Sequence, residues 1–310
     1  MDERTMTGSE QRLHARLADR AVIELSGPDL KDFLQGLVTV DISALSEKKS
    51  LWGALLTPQG RILFTFTLAA PEPDTLLLET EAERAEELCQ RLLLYRLRKK
   101  VTIRPAEGSW QVVVFPGASP QAFDLAPEPG ASRKIPEGML LVDPRLAELG
   151  VRALLRSEQA EAALSRLESA ETDPAAYHRL RLLFGVAEQS AEIPPGRCLP
   201  LEYNFDRLHA VDFRKGCFIG QEVTARMHFR SATKRRLLPV QLAAPLTPPK
   251  PVVCARGREI GELRAALAQT GLALLRLDAL TDPAALPLQA DTTELAPSWP
   301  LWLRPDRPGS

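Results

Sequence analysis

The sequence predicts an α+β fold, with antiparallel strands and packed helices up to about Arg236 and a small all-β unit beyond it. Three observations predict this. Leu30, Phe33, Leu34 and Leu37 recur at the i, i+3, i+4, i+7 spacing of one buried helix face. Two apolar runs, Leu51 to Leu56 and Ile62 to Leu68, flank Thr57-Pro58-Gln59-Gly60 and read as a β-hairpin. Beyond Arg236 the pattern changes to short β-like runs separated by Pro or Gly.

Each element has its own local reason. Ala21 to Leu25 is short, apolar and β-prone, and Ser26-Gly27-Pro28-Asp29 then starts a helix, with Pro where a missing N–H is harmless. Thr75 to Leu78 is a further strand. Glu81 to Arg98 reads as the best helix, since Glu81, Glu83, Glu86 and Glu87 come first and Arg91, Arg96 and Arg98 last. That order suits the helix dipole. Strands at Trp110 to Phe115 and Val151 to Leu155 bracket Pro116 to Gly138, whose Pro and Gly predict a loop. Helices follow at about Ser157 to Ala170 and from Asp173, a capping residue ahead of Pro174, to Gly185. The last runs are Leu237 to Leu242, Val252 to Ala255, Glu259 to Ala265 and Leu272 to Leu277, with a tight turn at Arg256-Gly257. The Pro-rich tail after Thr281 is expected on the surface.

Bulk properties bound the function. A chain of 310 residues is expected to hold two or three units. Its 45 % hydrophobic and 25 % charged content excludes wholesale disorder. The balance of 39 Lys+Arg against 40 Asp+Glu argues against bulk nucleic-acid binding. No two of the four cysteines, at 89, 198, 217 and 254, are close enough for a zinc knuckle or redox pair, which points to a reducing compartment. The first ten residues resemble neither a signal nor a transit peptide, and no run of 18 apolar residues spans a membrane, so the cytoplasm is the expected address. The 26 prolines predict many breaks.

The densest segment is Leu199 to Arg236. From Val211 onward it carries seven Lys/Arg against two Asp/Glu, a local +5 that leaves −6 for the rest. Such a patch suits an anionic partner and equally describes a solvated edge. Gly216 and Gly220 flank Cys217-Phe218-Ile219 and permit a tight turn with exposed N–H groups. Arg214 and Lys215 precede Cys217, and nearby cations favour a thiolate, although a lone cysteine is also a small hydrophobe. Cys198, His209, Cys217 and His228 have gaps of ten, seven and ten residues, which fit no close-spaced ligand pair, so no metal is expected.

Lys215-Gly216-Cys217-Phe218-Ile219-Gly220-Gln221-Glu222 resembles the signature of the YgfZ family of folate-binding proteins. The resemblance extends to Arg20 to Val22, Leu25 to Asp41, Thr57 to Arg61, Leu94 to Val101, Asp143 to Arg145, Gly150 to Arg152 and Gly271 to Arg276. It implies a protein that assists iron–sulfur cluster assembly and is a structural relative of the glycine-cleavage aminomethyltransferase, the T-protein. The implied fold has two interleaved folate-binding subdomains with antiparallel sheets in residues 1–236, a C-terminal β-barrel in 237–303 and a tail at 304–310. The implied cofactor is tetrahydrofolate or a one-carbon derivative in a central channel. By the same resemblance, Glu202 accepts hydrogen bonds from the pterin, with Asn204 a second candidate. Lys215 and Arg226 hold the glutamate tail or orient Cys217, whose thiol is the reactive group. Gln221 and Glu222 touch the ligand or brace the turn. The implied partners are reduced folate and iron–sulfur enzymes or assembly factors, with no membrane and no nucleic acid.

One departure matters. An aminomethyltransferase carries an Asn-Ala-x-Asn run and an Asp, whereas the matching stretch here is Glu79 to Glu87 with neither. That argues against ordinary glycine cleavage. A folate-dependent one-carbon transferase or demethylase with altered acid–base groups is an alternative, and a non-catalytic docking module for RNA or protein is another.

Overall fold

Arg12–Arg16 (β1) and Arg20–Ser26 (β2) are neighbours in sequence but open two different sheets. The computed structural model describes residues 12–106, 108–230, 233–246, 251–280 and 288–303. The expectations for the first ten residues and for the 304–310 tail lie outside the described residues. After β2, Gly27 at φ 133 turns the chain into helix α1 (Leu30–Gln35), which buries Leu30, Phe33 and Leu34. The expected hairpin follows as β3 (Leu51–Leu56) and β4 (Ile62–Glu72), and β5 (Thr75–Glu81) continues it. Helix α2 (Ala85–Arg96) leads to β6 (Thr102–Pro105), completing a sheet of order β3-β4-β5-β2-β6. Alternation divides its residues: Leu76 and Leu78 join the cluster under α1 and α2, while Leu77 faces the second sheet.

Helix α2 starts later than its charge pattern suggests. Glu81 is paired with Arg20 in the β-ladder, and a 3₁₀ turn over Ala82–Arg84 intervenes. The ladder contact outweighs the helical propensity of glutamate, a weak preference that tertiary pairing overrides.

The second sheet has the order β11-β1-β7-β10-β9-β8. Its remaining strands are β7 (Trp110–Pro116), β8 (Ser132–Ile135), β9 (Gly138–Val142), β10 (Gly150–Arg156) and β11 (Ser169–Glu171). The stretch expected to be loop, Pro116 to Gly138, therefore contains a strand and a 3₁₀ turn at Pro120–Phe123. Buried Phe123, Leu125 and Ile135 anchor it. Helix α3 (Ala160–Arg166) and helix α4 (Pro174–Leu183) follow. Asp173 caps α4 by accepting from the Ala175 N–H at 2.8 Å.

Between the sheets lies a buried charge network. The Arg20 guanidinium bonds Glu79, and Arg152 reaches the same carboxylate at 3.1 Å. Arg145 bonds Asp143 and Glu188, each at 2.6 Å. The Tyr177 hydroxyl donates to Glu188 at 2.5 Å and accepts from Arg145 and Arg152 at 2.7 and 2.6 Å. Arg181 grips both oxygens of Glu192 at 2.7 Å. The Arg145 and Arg152 guanidiniums hold the Asp143 and Glu188 carboxyls below their usual range, against the burial that would raise them.

After helix α5 (Gln221–Phe229), six strands close a barrel: β12 (Arg235–Leu242), β13 (Val252–Ala255), β14 (Arg258–Leu267), β15 (Thr270–Arg276), β16 (Leu288–Ala290) and β17 (Thr293–Pro297). The last two correct the expectation of a surface tail after Thr281. They pair with β12 and β13 and bury Leu288, Ala290 and Leu295, because closure leaves no open sheet edge.

Candidate functional site

The Leu199 to Arg236 segment threads between the first sheet and the barrel. It opens with a 3₁₀ turn, Pro200–Tyr203, and Asn204 at φ 64 reverses the chain. Buried Phe205, Leu208 and Ala210 then pack in a cluster with Trp52, Leu56 and Leu237. Thr39 ties the segment down: its hydroxyl donates to the Ala210 carbonyl at 2.6 Å and its carbonyl accepts from the Asp212 N–H at 3.0 Å.

The Cys217 loop is held at both ends. Upstream, the Lys215 ammonium donates to the carbonyls of Gln35, Val38 and Val40 at 2.8, 2.6 and 2.8 Å. Downstream, Gln221 Oε1 accepts from the Phe218 N–H at 3.0 Å, and Gln221 Nε2 lies 3.7 Å from Cys217 Sγ. Gly220 takes φ 80, and a Cβ there would meet the Thr57 carbonyl oxygen at 2.4 Å. Gly60 answers it across the contact: a Cβ on Gly60 would lie 2.9 Å from the Gly220 oxygen. The Thr57-Pro58-Gln59-Gly60 turn is thus the seat of the Cys217 loop. Both motifs were visible in the sequence, but nothing in their spacing said that they touch.

Of the four cysteines, Cys217 alone is exposed. Cys89 and Cys198 are buried, Cys254 is half-buried, and burial pushes the Cys89 thiol up to about 11. Among the described residues, no three His, Cys, Asp or Glu side chains converge as a metal cage.

The residues expected to contact folate fall into two groups. Glu202 and Asn204 latch the barrel to the body. Both Glu202 oxygens accept from Arg235, at 2.9 and 3.1 Å. The fully buried Asn204 donates to the Leu237 carbonyl at 2.8 Å and accepts from Arg236 at 3.1 Å. Arg236 also pairs with Asp206 at 2.8 Å. Lys215 serves the loop anchor, and Gln221 braces the turn. Glu222 and Arg226 are exposed and paired with each other at 2.6 Å, one helical turn apart. The +5 of this segment is therefore partly neutralised in place. Arg235, Arg236 and Asp206 are latch residues that sequence reasoning missed, since their partners lie some thirty positions away.

A flat pterin needs apolar walls. Glu202 lines a cleft of about 620 Å³, but Leu277 is the one large apolar side chain there, beside Lys234, Arg235 and Arg276. The walls do not fit the expectation. The stretch matching the transferase run is also closed: Glu79 lies in the charge network, and Glu81 bonds both the hydroxyl and the N–H of Ser190. Arg84 lies over the Phe64 ring at 4.2 Å. The space left there is about 20 Å³, room for about one water. A different cavity, of about 310 Å³, has Leu51, Trp52, Pro129 and Pro144 as walls and Lys49, Ser50, Glu128 and His209 as polar groups.

The whole arrangement is that of an aminomethyltransferase-like fold. The T-protein of the glycine cleavage system from Bartonella henselae superposes with a TM-score of 0.76 over 95 % of this chain and 87 % of its own. At 14 % identity, this likeness concerns the fold alone. Residues 234–305 match the family model of the CAF17 C-terminal β-barrel domain. The iron–sulfur cluster assembly factor IBA57 of Mus musculus is 34 % identical over 287 residues, covering 86 % of this chain and 78 % of its own. The human protein of that name is 35 % identical over 289 residues with the same coverages. The chain belongs to the IBA57 family of iron–sulfur cluster assembly factors. The matched relatives are mitochondrial by name, which overturns the cytoplasmic expectation.

Proposed function

We propose that this protein supports the assembly of iron–sulfur clusters, with Cys217 as the thiol offered to cluster iron or to an assembly partner. The observation that carries the reading is the exposed Cys217 on a loop braced from two sides, in a chain of this family. A soft thiolate is a natural ligand for iron in a cluster. The bracing holds the sulfur in place without enclosing it, as a hand-over step requires. Residues 1–236 carry this site and 237–303 the barrel that Glu202 and Asn204 latch to it. Cys217→Ala is expected to keep the melting temperature and to lose cluster delivery to a recipient apoprotein. Unchanged delivery rejects the thiol role.

Within the wider reading, the relation is to YgfZ-type proteins, and reduced folate is a second ligand. The 310 Å³ cavity favours it, because its four apolar walls and the Glu128 carboxylate suit a pterin, and the Lys49 ammonium beside them suits an anionic tail. There Glu128, rather than Glu202, accepts from the ring N–H groups. Titration calorimetry with tetrahydrofolate is expected to show binding that Glu128→Gln weakens about tenfold, the scale of one charge-assisted hydrogen bond. No heat with the wild-type protein rejects the folate reading and leaves the cluster reading standing.

A further inference from the structure

We propose that the C-terminal end of α2 is a docking tip for an anionic membrane surface. Helix α2 buries Ala85, Leu88, Cys89 and Leu92. Arg91 and Leu94, three positions apart, lie on the side of the helix that the core leaves open, and Arg98 follows just past its end. Leu94 is 71 % exposed and Leu97 85 % exposed, so two leucines stand in solvent side by side at the end of one helix. Leu97 also has φ 47 and ψ −114, a backbone region that glycine enters freely and leucine avoids. Neither its exposure nor its backbone serves the core.

Cations surround the tip. Among the described residues, Arg91, Arg98, the Lys100 side chain and Lys31 on α1 make no ion pair. Lys99 is paired with Asp32, and Asp29 accepts from the Lys100 N–H. The acidic residues of α2 lie at its other end. Glu87 is ten positions from Leu97, about 15 Å along the helix. That exceeds the screening length of about 8 Å, so these carboxylates leave the attraction at Arg98 and Lys100 standing, while Arg91, one helical turn from Glu87, is partly offset.

The shape favours lipid over protein. A helix end is convex, and two leucines fall far short of the roughly 800 Å² per partner of a stable protein interface. A lipid surface deforms around such a tip, taking apolar side chains into the headgroup boundary and cations among its phosphates. No described helix is long and apolar enough to cross a membrane, so the contact is peripheral.

The test is co-sedimentation of the full chain with phosphatidylcholine vesicles, with and without phosphatidylglycerol. Binding is expected only with the anionic lipid and is lost in high salt. Replacing Arg98 and Lys100 by Gln lowers affinity by about twenty-five-fold, a factor of about five for each cation. Leu97→Gly raises the melting temperature by relieving the backbone and still weakens binding, which separates docking from folding. Equal recovery on neutral vesicles, no recovery on either, or full binding by Leu97→Gly overturns the proposal and leaves this face to a protein partner.

Discussion

Lys215 stands two residues before the exposed thiol, yet its ammonium is held by three backbone carbonyls, one at the end of α1 and two just after it. Burial pushes it down to about 8, and at pH 7 it remains the charged triple donor that this nest of carbonyls needs. The two motif glycines differ as sharply. A Cβ on Gly216 meets nothing within 4 Å, whereas one on Gly220 strikes the Thr57 carbonyl and forces a positive φ on a side chain. Gly216→Ala is therefore expected to change stability by less than about 0.5 kcal/mol. Gly220→Ala is expected to cost about 2 kcal/mol or more and to speed alkylation of Cys217 by loosening its seat. Urea unfolding and thiol-labelling rates check both. Equal effects of the two changes would contradict the role given to the turn. At this scale the sequence identified the motif but not the division of labour within it, because Lys215 and Gly220 both work on atoms more than 150 positions away.

The elements were legible where pattern and context agree. The β3–β4 hairpin carries its own turn residues, α4 its own cap and α1 its own apolar face, and all three form where the sequence places them. The misplaced elements share one cause. The start of α2, strand β8 and strands β16 and β17 are fixed by partners elsewhere in the chain. Leu288 to Ala290 is too short to announce itself, and it becomes a strand because β13 needs a neighbour. The latch is likewise an element-level contact: Glu202 and Asn204 belong to a 3₁₀ turn whose work is to hold the first residues of β12.

The whole molecule is held between its two main sheets by buried charge. Asp143 and Glu188 are kept below their usual range by Arg145 and Arg152, so they stay ionised when the unfolded chain takes up protons. This contribution is complete above about pH 5 and is lost as pH falls through the carboxylate range, at about 1.4 kcal/mol per pH unit for each group. His14, His178 and His209 act in the same direction at milder acidity. Burial holds them below the usual 6.5, so the unfolded chain binds protons first there too. Urea unfolding is therefore expected to weaken gently below about pH 6.5 and steeply below about pH 4. A stability flat from pH 7 to pH 3 would contradict the network. Replacing one member alone, as in Glu188→Gln, leaves its guanidinium partners short of charge at a cost of about 3 kcal/mol or more.

The sequence by itself determined the α+β class, the separate β-rich end and the segment that carries the exposed cysteine. These follow from local periodicity, turn chemistry and an eight-residue motif. Only the tertiary structure decided which side chains are committed to the fold and which face outward. Burial and pairing depend on what the chain brings alongside. Glu202, Asn204 and Lys215 became fasteners, Gly60 became the seat of Cys217, and Leu94 and Leu97 were left in solvent.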